Sequence, residues 1–160
     1  MIAPENLFHV GFVVADLGRA QAELEALGHT FAPTMDAPVQ VLTPEGAPVQ
    51  AQATLTYSLQ EPRIELIQAL DGTPWPTSAV GAIHHLGYWV DALAPAMEQA
   101  DAEGWTRQWH GRDDEGRPAR FAYYLMAHND VRVEFVDRSV IGASLERWWA
   151  GDAYRGAARD

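Results

Sequence analysis

The segment FHVGFVVADLGRAQAELEALGHT, residues 8–30, returns later in the chain as HHLGYWVDALAPAMEQADAEGWT, residues 84–106. A shift of 76 positions (85 − 9) aligns the two segments without a gap and superposes His9 on His85, each followed two residues later by a glycine. Amphipathic segments can look alike by chance, but chance rarely matches the histidine and glycine positions as well. The pattern therefore indicates an internal duplication.

Each copy has the pattern of a strand followed by a helix. Residues 7–14 and 83–90 are typical of strands, and the apolar residues after them recur at helical spacing. Asp16 is in position to cap the first helix, and Gly28 and Gly104 stand where a C-terminal helix glycine is expected. A βα unit therefore opens each copy.

The rest of each copy is expected to be extended. RIELIQ at 63–68 is echoed by RVEFVD at 132–137, 69 positions later (132 − 63), so the first copy holds seven additional residues (76 − 69) in its middle. Two further strands are predicted before each of these segments, at 37–43 and 49–57 in the first copy and at 106–111 and 119–127 in the second. The order βαβββ, twice, is an α+β architecture with a mixed sheet.

We expect a single domain over residues 1–160. Its parts follow from the duplication and from the Pro-, Gly- and Thr-rich joint between the copies: a first βαβββ module (5–70), a linker (71–82), a second βαβββ module (83–138) and a C-terminal helical tail (139–160). The tail carries two adjacent tryptophans, Trp148 and Trp149, which predicts that it docks on the domain or on another subunit.

Composition excludes several classes of function. The net charge of −11 argues against nucleic acid and against an anionic membrane surface as partners. The chain has no cysteine and no lysine, which excludes thiolate metal ligands, cysteine nucleophiles and Schiff-base chemistry. No apolar run approaches the roughly 20 residues that cross a bilayer, and the first residues lack the pattern of a secretory signal. A cytoplasmic protein that binds a small molecule is therefore expected.

Two histidines and two glutamates occupy equivalent places in the two copies. His9 and His85 lie on the first strands, and Glu65 and Glu134 lie between apolar residues on the last strands. A glutamate on such a strand faces solvent, an ion pair or a metal, and an arginine two residues before each glutamate offers the ion pair as an alternative. If both copies turn the same face inward, the four side chains converge on one cavity. Two imidazoles and two carboxylates suit a divalent ion with open coordination positions, which leaves Zn, Ni, Co, Mn and Fe(II) as candidates.

Strand alternation and composition assign further side chains. Alternation predicts that His84 points away from His85 and has a structural role. Several aromatic side chains are candidates for the wall of the cavity: Trp75, Trp89, Trp109, Tyr123 and Tyr124. Aromatic walls of this kind indicate an apolar or cyclic substrate.

The segments HVGFVVADL, RIELIQ, HHLGYWVDAL and RVEFVD together resemble the vicinal oxygen chelate superfamily. That superfamily includes glyoxalase I, methylmalonyl-CoA epimerase, extradiol dioxygenases and bleomycin-resistance proteins, and the resemblance covers residues 7–137. It implies that paired βαβββ modules form a cupped mixed β-sheet around a metal, often in a homodimer. By the same resemblance the metal ligands are His9, Glu65, His85 and Glu134.

The resemblance also implies a chemistry. Members of the superfamily use the metal as a Lewis acid on substrate oxygens while a carboxylate moves a proton. Glu134 is then the first candidate for a ligand that doubles as base, with Glu65 as its counterpart. In the epimerase branch a glutamate in a PE-x-G turn has a base role, and the similar PEG turn puts Glu45 in play, although two inserted residues, 47–48, depart from that pattern.

The function expected from these features is proton transfer next to a carbonyl group. The enzyme would be a divalent-metal-dependent isomerase, epimerase or lyase that acts on a small apolar or acyl substrate. An iron-dependent dioxygenase of the same fold is one alternative, although its two-histidine, one-carboxylate design leaves the fourth ligand unexplained. A non-enzymatic small-molecule-binding protein of the resistance type is the other, although such proteins generally lack the ligand set.

Overall fold

The computed structural model describes residues 3–153 and shows the expected alternation of strands and helices. The elements are β1 (Leu7–Val14), α1 (Leu17–Glu25), β2 (Met35–Leu42), β3 (Pro48–Tyr57), β4 (Arg63–Gln68), β5 (Ile83–Val90), α2 (Leu93–Ala102), β6 (Thr106–Arg112), β7 (Pro118–Leu125), β8 (Arg132–Asp137) and α3 (Ala143–Trp149). Short helical turns lie at Pro4–Asn6, Thr77–Ala79 and Arg138–Gly142. Every predicted strand overlaps an observed one, with ends that differ by no more than two residues, which confirms the α+β class and the repeated βαβββ order.

The eight strands of the described residues form one closed mixed sheet in the order β1-β4-β3-β2-β6-β7-β8-β5. Within each module the first strand runs parallel to the last, and the other pairs are antiparallel. The modules join along β1 and β5 and, on the opposite side, through a short pairing of β2 with β6 that includes Val41 and Gly111. The cupped sheet expected from the sequence is therefore closed into a barrel.

The last strand of each module fixes the start of that module's helix. Gln68, at the end of β4, accepts a hydrogen bond from the backbone N–H of Leu17 at 3.0 Å. Asp137, at the end of β8, accepts one from the backbone N–H of Leu93 at 2.9 Å. Gln68 and Asp137 are equivalent in the duplication (137 − 68 = 69). The duplicated sequence thus positions both helices by the same device, a side-chain acceptor for orphan N–H groups.

The predictions for the helix ends are confirmed. Asp16 accepts a hydrogen bond from the backbone N–H of Arg19 at 2.9 Å, as an N-cap residue does. Gly28 and Gly104 follow the two helices with φ of +96° and +76°. This left-handed conformation ends a helix at little steric cost only when the residue is glycine.

Helix α3 packs against the interior of the barrel. Leu145 and Trp148 belong to the same buried cluster as Tyr57, and the rings of Trp148 and Tyr57 meet edge to face with centroids 5.9 Å apart. The indole N–H of Trp148 donates to the carbonyl of Pro33 at 3.0 Å. The structure thus favours docking of the tail on the domain itself as far as residue 153; the part of the predicted tail at 154–160 lies outside the described residues. No helix in the described range is long and apolar enough to cross a membrane.

Candidate metal centre

Antiparallel pairing of β1 with β5 brings the two predicted histidines together. His9 lies opposite Gly87, and His85 lies opposite Gly11. Both imidazoles are buried, with 0% and 1% of the residue exposed, and their Nε2 atoms are 2.7 Å apart. The two copies of the duplicated sequence are therefore related by a local two-fold across this strand pair.

The glycine that follows each histidine makes room for the other histidine. A Cβ added at Gly11 would lie 1.9 Å from Cε1 of His85, and one added at Gly87 would lie 1.8 Å from Cε1 of His9. Any side chain at either position would therefore collide with the ring opposite. The repeated His-x-Gly pattern is a packing requirement of the paired imidazoles, since a glycine in a strand permits such close approach.

The parallel strand pairs add the two predicted glutamates, which lie in register with those glycines. Oε2 of Glu65 is 3.4 Å from Nε2 of His9 and 3.1 Å from Nε2 of His85. Oε2 of Glu134 is 3.1 Å and 3.3 Å from the same two atoms. The four side chains therefore meet at one buried point, where one ligand atom from each lies within 4.8 Å of the others.

The spacing and charge of this cluster fit a divalent ion. Nitrogen and oxygen ligands lie about 2.0–2.2 Å from such an ion, which separates neighbouring ligand atoms by about 2.9 Å in octahedral and about 3.4 Å in tetrahedral geometry. The imidazole–imidazole and imidazole–carboxylate distances here run from 2.7 to 3.4 Å. Oε2 of Glu65 and Oε2 of Glu134 are buried without an aligned hydrogen-bond donor among the described residues. An ion of charge +2 would balance both carboxylates.

Burial and mutual charge set the protonation of the cluster. Burial lowers the pKa of His85, but the carboxylates of Glu134 and Glu65 outweigh it and raise that pKa to about 9. The pKa of His9 is raised for the same reason. Burial raises the pKa of Glu65 and of Glu134, but the histidines hold both values below the usual range. The carboxylates are therefore ionised, which is the form that binds metal, and metal binding would release imidazole protons.

A bulge precedes each histidine, and it makes one sequence prediction wrong. The register of β1 with β5 shifts at Phe8 and again at His84. A bulge re-aims side chains out of strict alternation, so His84 does not point away from its neighbour: its Nδ1 lies 3.0 Å from Nδ1 of His85. In the first module Phe8 packs against His9 with ring centroids 4.3 Å apart.

His84 gives His85 a polar partner that His9 lacks. Burial lowers the pKa of His84 to about 3, so its ring is neutral. It can accept the N–H that His85 carries on Nδ1 when Nε2 is the ligand atom, the arrangement that orients many metal-binding histidines. Nδ1 of His9 is buried without a hydrogen-bond partner among the described residues, because the equivalent neighbour is Phe8.

A cavity of about 80 Å³ adjoins the cluster on the side of its two carboxylates. Glu65 and Glu134 line it, whereas neither of the cluster histidines does. The wall is otherwise mainly apolar and aromatic and includes the predicted Trp75 and Tyr123, with one cation, Arg120. This volume is small beside the roughly 300–1,000 Å³ of pockets that take drug-sized ligands. It suits a small molecule or the acyl end of a larger one.

Two tyrosines face the glutamates from the neighbouring strands. Tyr57 lies in register with Glu65, and Tyr123 lies in register with Glu134. Burial, together with the charges of the carboxylates, raises the pKa of each phenol well above its usual value. The hydroxyl of Tyr123 also accepts a hydrogen bond from the indole N–H of Trp75 at 3.1 Å. Sequence reasoning missed Tyr57, although a tyrosine near the end of the third strand of both copies was the available signal.

The other predicted site residues lie elsewhere. Glu45 is exposed in the turn between β2 and β3 and is not brought to the cluster. Trp89 stacks on Phe8 with ring centroids 3.9 Å apart, and Trp109 packs at the edge of the core; neither lines the cavity. Tyr124 packs with the residues of α2 and faces away from the cavity.

Comparisons with known proteins agree with this architecture. The sequence model of the family described as the glyoxalase/bleomycin resistance protein/dioxygenase superfamily matches residues 8–124. No curated protein matches the chain. Similar solved structures include a Streptomyces coelicolor methylmalonyl-CoA epimerase in complex with 2-nitronate-propionyl-CoA (TM-score 0.57, 11% identity, covering 86% of this chain and 98% of that one).

Two further structures have a similar fold. The methylmalonyl-CoA epimerase from Mycobacterium tuberculosis has a TM-score of 0.55 and 19% identity, with 86% of this chain and 92% of that one covered. A mutant 4-hydroxymandelate synthase from Streptomyces coelicolor has a TM-score of 0.51 and 20% identity, with 82% of this chain but 38% of that one covered. At these identities the likeness shows the fold.

Proposed function

Because the chain belongs to the glyoxalase/bleomycin resistance protein/dioxygenase superfamily, we propose that it is a divalent-metal-dependent enzyme that transfers a proton next to a carbonyl group. It acts as an isomerase, epimerase or lyase on a small apolar or acyl substrate. The observation that carries this proposal is the placement of Glu65 and Glu134, which belong to the buried cluster and also line the adjoining cavity. Carboxylates in that position can contact both an ion and a substrate.

In this proposal His9, Glu65, His85 and Glu134 hold the ion. When bound, the ion supplies a Lewis acid that polarises a carbonyl oxygen and so acidifies the neighbouring C–H bond. The two histidines are buried and do not reach the cavity, so they serve as fixed donors. Of the four cluster side chains, only the two carboxylates face the substrate.

Glu134 takes the role of base, with Glu65 as its counterpart. Both carboxylates are ionised, since the histidines hold their pKa values below the usual range. The local two-fold relationship brings one carboxylate from each module to the same cavity. One of them can remove a proton from the carbon, and the other can deliver a proton to the opposite face after it has taken one up from water, which is what epimerisation requires. A single carboxylate that returns the proton to a different atom gives isomerisation.

Tyr57 and Tyr123 support the two glutamates. Their phenols stay protonated, because their pKa values are raised by burial and by the carboxylates. Each lies in register with one glutamate and can donate a hydrogen bond to it. The mainly apolar wall around these groups strengthens such interactions by lowering the local dielectric.

Two measurements test the proposal. The first is the metal content of the reconstituted protein, with His85→Ala and Glu134→Gln as site variants and His128→Ala as a control, since His128 is exposed and outside the cluster. The second is metal-dependent exchange of C–H for deuterium in 2-substituted acyl-CoA esters and α-hydroxyketones, followed by NMR in D₂O. Methylmalonyl-CoA is the first compound to assay, because two of the similar structures are its epimerases.

We expect one ion per chain in the wild type and in the control, and exchange that is lost in Glu134→Gln. A wild-type protein that stays free of metal after reconstitution contradicts the proposal. Oxygen consumption by the iron-loaded protein, without deuterium exchange in any compound, favours the dioxygenase alternative. The homodimer implied by the family stays a prediction that light scattering after gel filtration can check.

A further inference from the structure

Among the described residues that line the cavity, Arg120 on β7 is the one cation. It has no hydrogen bond and no ion pair with any other described residue. Two other arginines of the same hairpin have partners, because Arg107 pairs with Asp101 and Arg117 pairs with Asp113. Arg112 is like Arg120 in that its Nε has no partner among the described residues, but it does not line the cavity. Arg120 is half-buried, and a guanidinium that lines a mainly apolar cavity without a protein partner is available to a ligand that supplies an acceptor.

The backbone turns Arg120 into the cavity against the alternation of its strand. Phe121 and Tyr123 line the cavity, so strict alternation would place residue 120 on the outer face with Ala122 and Tyr124. Arg120 has a φ of +74°, a left-handed conformation that is uncommon for a long side chain. This conformation allows two consecutive residues to face the same cavity.

The sheet holds the strand in this shape. Three residues of β7, 119–121, lie opposite Gly111 alone, between two regular pairs of the β6–β7 ladder. Gly111 packs against this bulge, since a Cβ there would lie 2.3 Å from the carbonyl oxygen of Ala119. The strained residue therefore lies within the paired strands of the barrel and not in a loop. Strain of this kind persists where the surrounding structure imposes it, and it clusters at ligand sites.

The first module lacks this arrangement. Tyr57 of β3 pairs with Glu65 and Tyr123 of β7 pairs with Glu134, so equivalent positions on β3 and β7 are 66 apart (123 − 57). Thr54 is therefore the counterpart of Arg120. Thr54 keeps the strand alternation: it does not line the cavity, and its hydroxyl donates to Asp36. The cation is therefore present on one side of the local two-fold only. Arg120 therefore makes the two sides of the cavity chemically different, so that the two ends of a bound molecule meet different groups.

We propose that Arg120 binds a carboxylate of the substrate, so that the protein acts on a small acid whose carboxylate lies a few atoms from the carbonyl group held at the His/Glu cluster. The planar fork of a guanidinium matches a carboxylate with two parallel hydrogen bonds. A protein with a net charge of −11 repels acids unless a local cation receives them. The inference rests on the proposed function, because that function places the carbonyl group of the substrate at the His/Glu cluster.

Two hydroxamates of equal size test this inference. Succinic monohydroxamate can chelate an ion through two neighbouring oxygens and carries a terminal carboxylate, whereas its terminal amide analogue is neutral. Calorimetric titration of the cobalt-loaded protein measures the affinity for each. The variants are Arg120→Gln and Arg120→Lys, and the matched control is Arg117→Gln, an exposed arginine of the same hairpin.

We expect the wild type and Arg117→Gln to bind the acid at least tenfold more tightly than the amide. Arg120→Gln should bind both equally, with unchanged affinity for the amide, and Arg120→Lys should keep part of the preference because it keeps the charge without the fork. Equal binding of acid and amide by the wild type would overturn the inference, and so would a preference that survives in Arg120→Gln. Arg120→Gly, which suits a left-handed backbone, replaces Arg120→Gln if the latter folds poorly.

The cobalt absorption spectrum separates failure of the inference from failure of the proposed function. If cobalt binds but neither hydroxamate does, the cavity is not a substrate site and the inference fails. If cobalt does not bind, the proposed function fails. The role of Arg120 is then tested by comparing the affinity of the metal-free protein for succinate with its affinity for succinamide. Succinate binding that is lost in Arg120→Gln then supports an anion site at Arg120, and no difference between the two compounds overturns it.

Discussion

His9 lies directly opposite Gly87 on the β1–β5 strand pair, and its imidazole fills the space in which a side chain at position 87 would stand. The same relationship holds for His85 and Gly11. The His/Glu cluster therefore depends on two residues that contribute no ligand atom. They are as necessary to its geometry as the ligands.

Gly87→Ala tests this dependence. The added Cβ would lie 1.8 Å from Cε1 of His9, so we expect the ring to move and the metal affinity to fall more than about 100-fold, with a loss of roughly 1–3 kcal/mol in the free energy of unfolding. Gly18→Ala in α1 is the matched control, because its Cβ would meet only an ordinary contact at 3.7 Å. Calorimetric metal titration and thermal denaturation measure both effects. A folded Gly87→Ala protein with wild-type affinity would count against the packing account.

His84→Phe tests the polar partner of His85. Phenylalanine stands at the equivalent position of the first module, as Phe8, so we expect the substitution to be tolerated by the fold. Loss of the contact between the two Nδ1 atoms, 3.0 Å apart, should lower metal affinity about 10- to 100-fold. Competition with a chelator of known affinity measures the change. An unaltered affinity would return His84 to the structural role that strand alternation predicts.

Metal binding should stabilise the fold. A ligand at 100 times its dissociation constant adds about 2.7 kcal/mol, which corresponds to a rise in Tm of roughly 5–10 °C for a chain of this size. The shift should be absent in Glu134→Gln and present in Glu45→Gln, because Glu45 lies exposed in a turn away from the cluster. Differential scanning fluorimetry with and without a chelator gives the result. A loss of the shift in Glu45→Gln would instead place that residue at the site.

Replacement of Arg120 tests the strain in β7. Arg120→Gly should raise the free energy of unfolding by about 1 kcal/mol, because glycine adopts the left-handed region without the steric cost of a Cβ. Arg120→Ala keeps that cost and should not be stabilised. Chemical denaturation of the two variants measures the difference. A glycine variant no more stable than the alanine variant would show that the backbone at position 120 is not strained.

The duplication made much of the fold predictable. Strand and helix periodicity and turn residues are local signals that were present in both copies. The capping residue Asp16 is a local signal of the first copy alone, because Ala92 precedes the second helix without a side-chain cap. The same duplication singled out His9, Glu65, His85 and Glu134, because equivalent positions on equivalent strands must turn to the same side of the sheet. The convergence of these four side chains follows from that symmetry.

The features that the sequence did not predict depend on the register between paired strands, and no single segment determines that register. The bulge that turns His84 toward His85 exists only where β1 pairs with β5. The left-handed conformation of Arg120 lies in the bulge that β7 forms opposite β6. The sequence does not indicate this conformation, because position 120 is not a glycine. Closure of the barrel between β2 and β6 involves a short pairing whose residues have no distinctive composition. These features are non-local. Side-chain alternation alone assigns His84 and Arg120 to the wrong face, and it carries no information on the pairing of β2 with β6.

X-ray absorption at the metal edge of the reconstituted protein tests whether the four side chains form a metal site, because it identifies imidazole ligands and their distances. We expect one ion per chain in the wild type, with two imidazole nitrogens and carboxylate oxygens at about 2.0–2.2 Å. We expect one imidazole at most in His85→Ala. A shell without imidazole in the wild type, or an identical shell in the wild type and in His85→Ala, would contradict a site formed by His9, Glu65, His85 and Glu134.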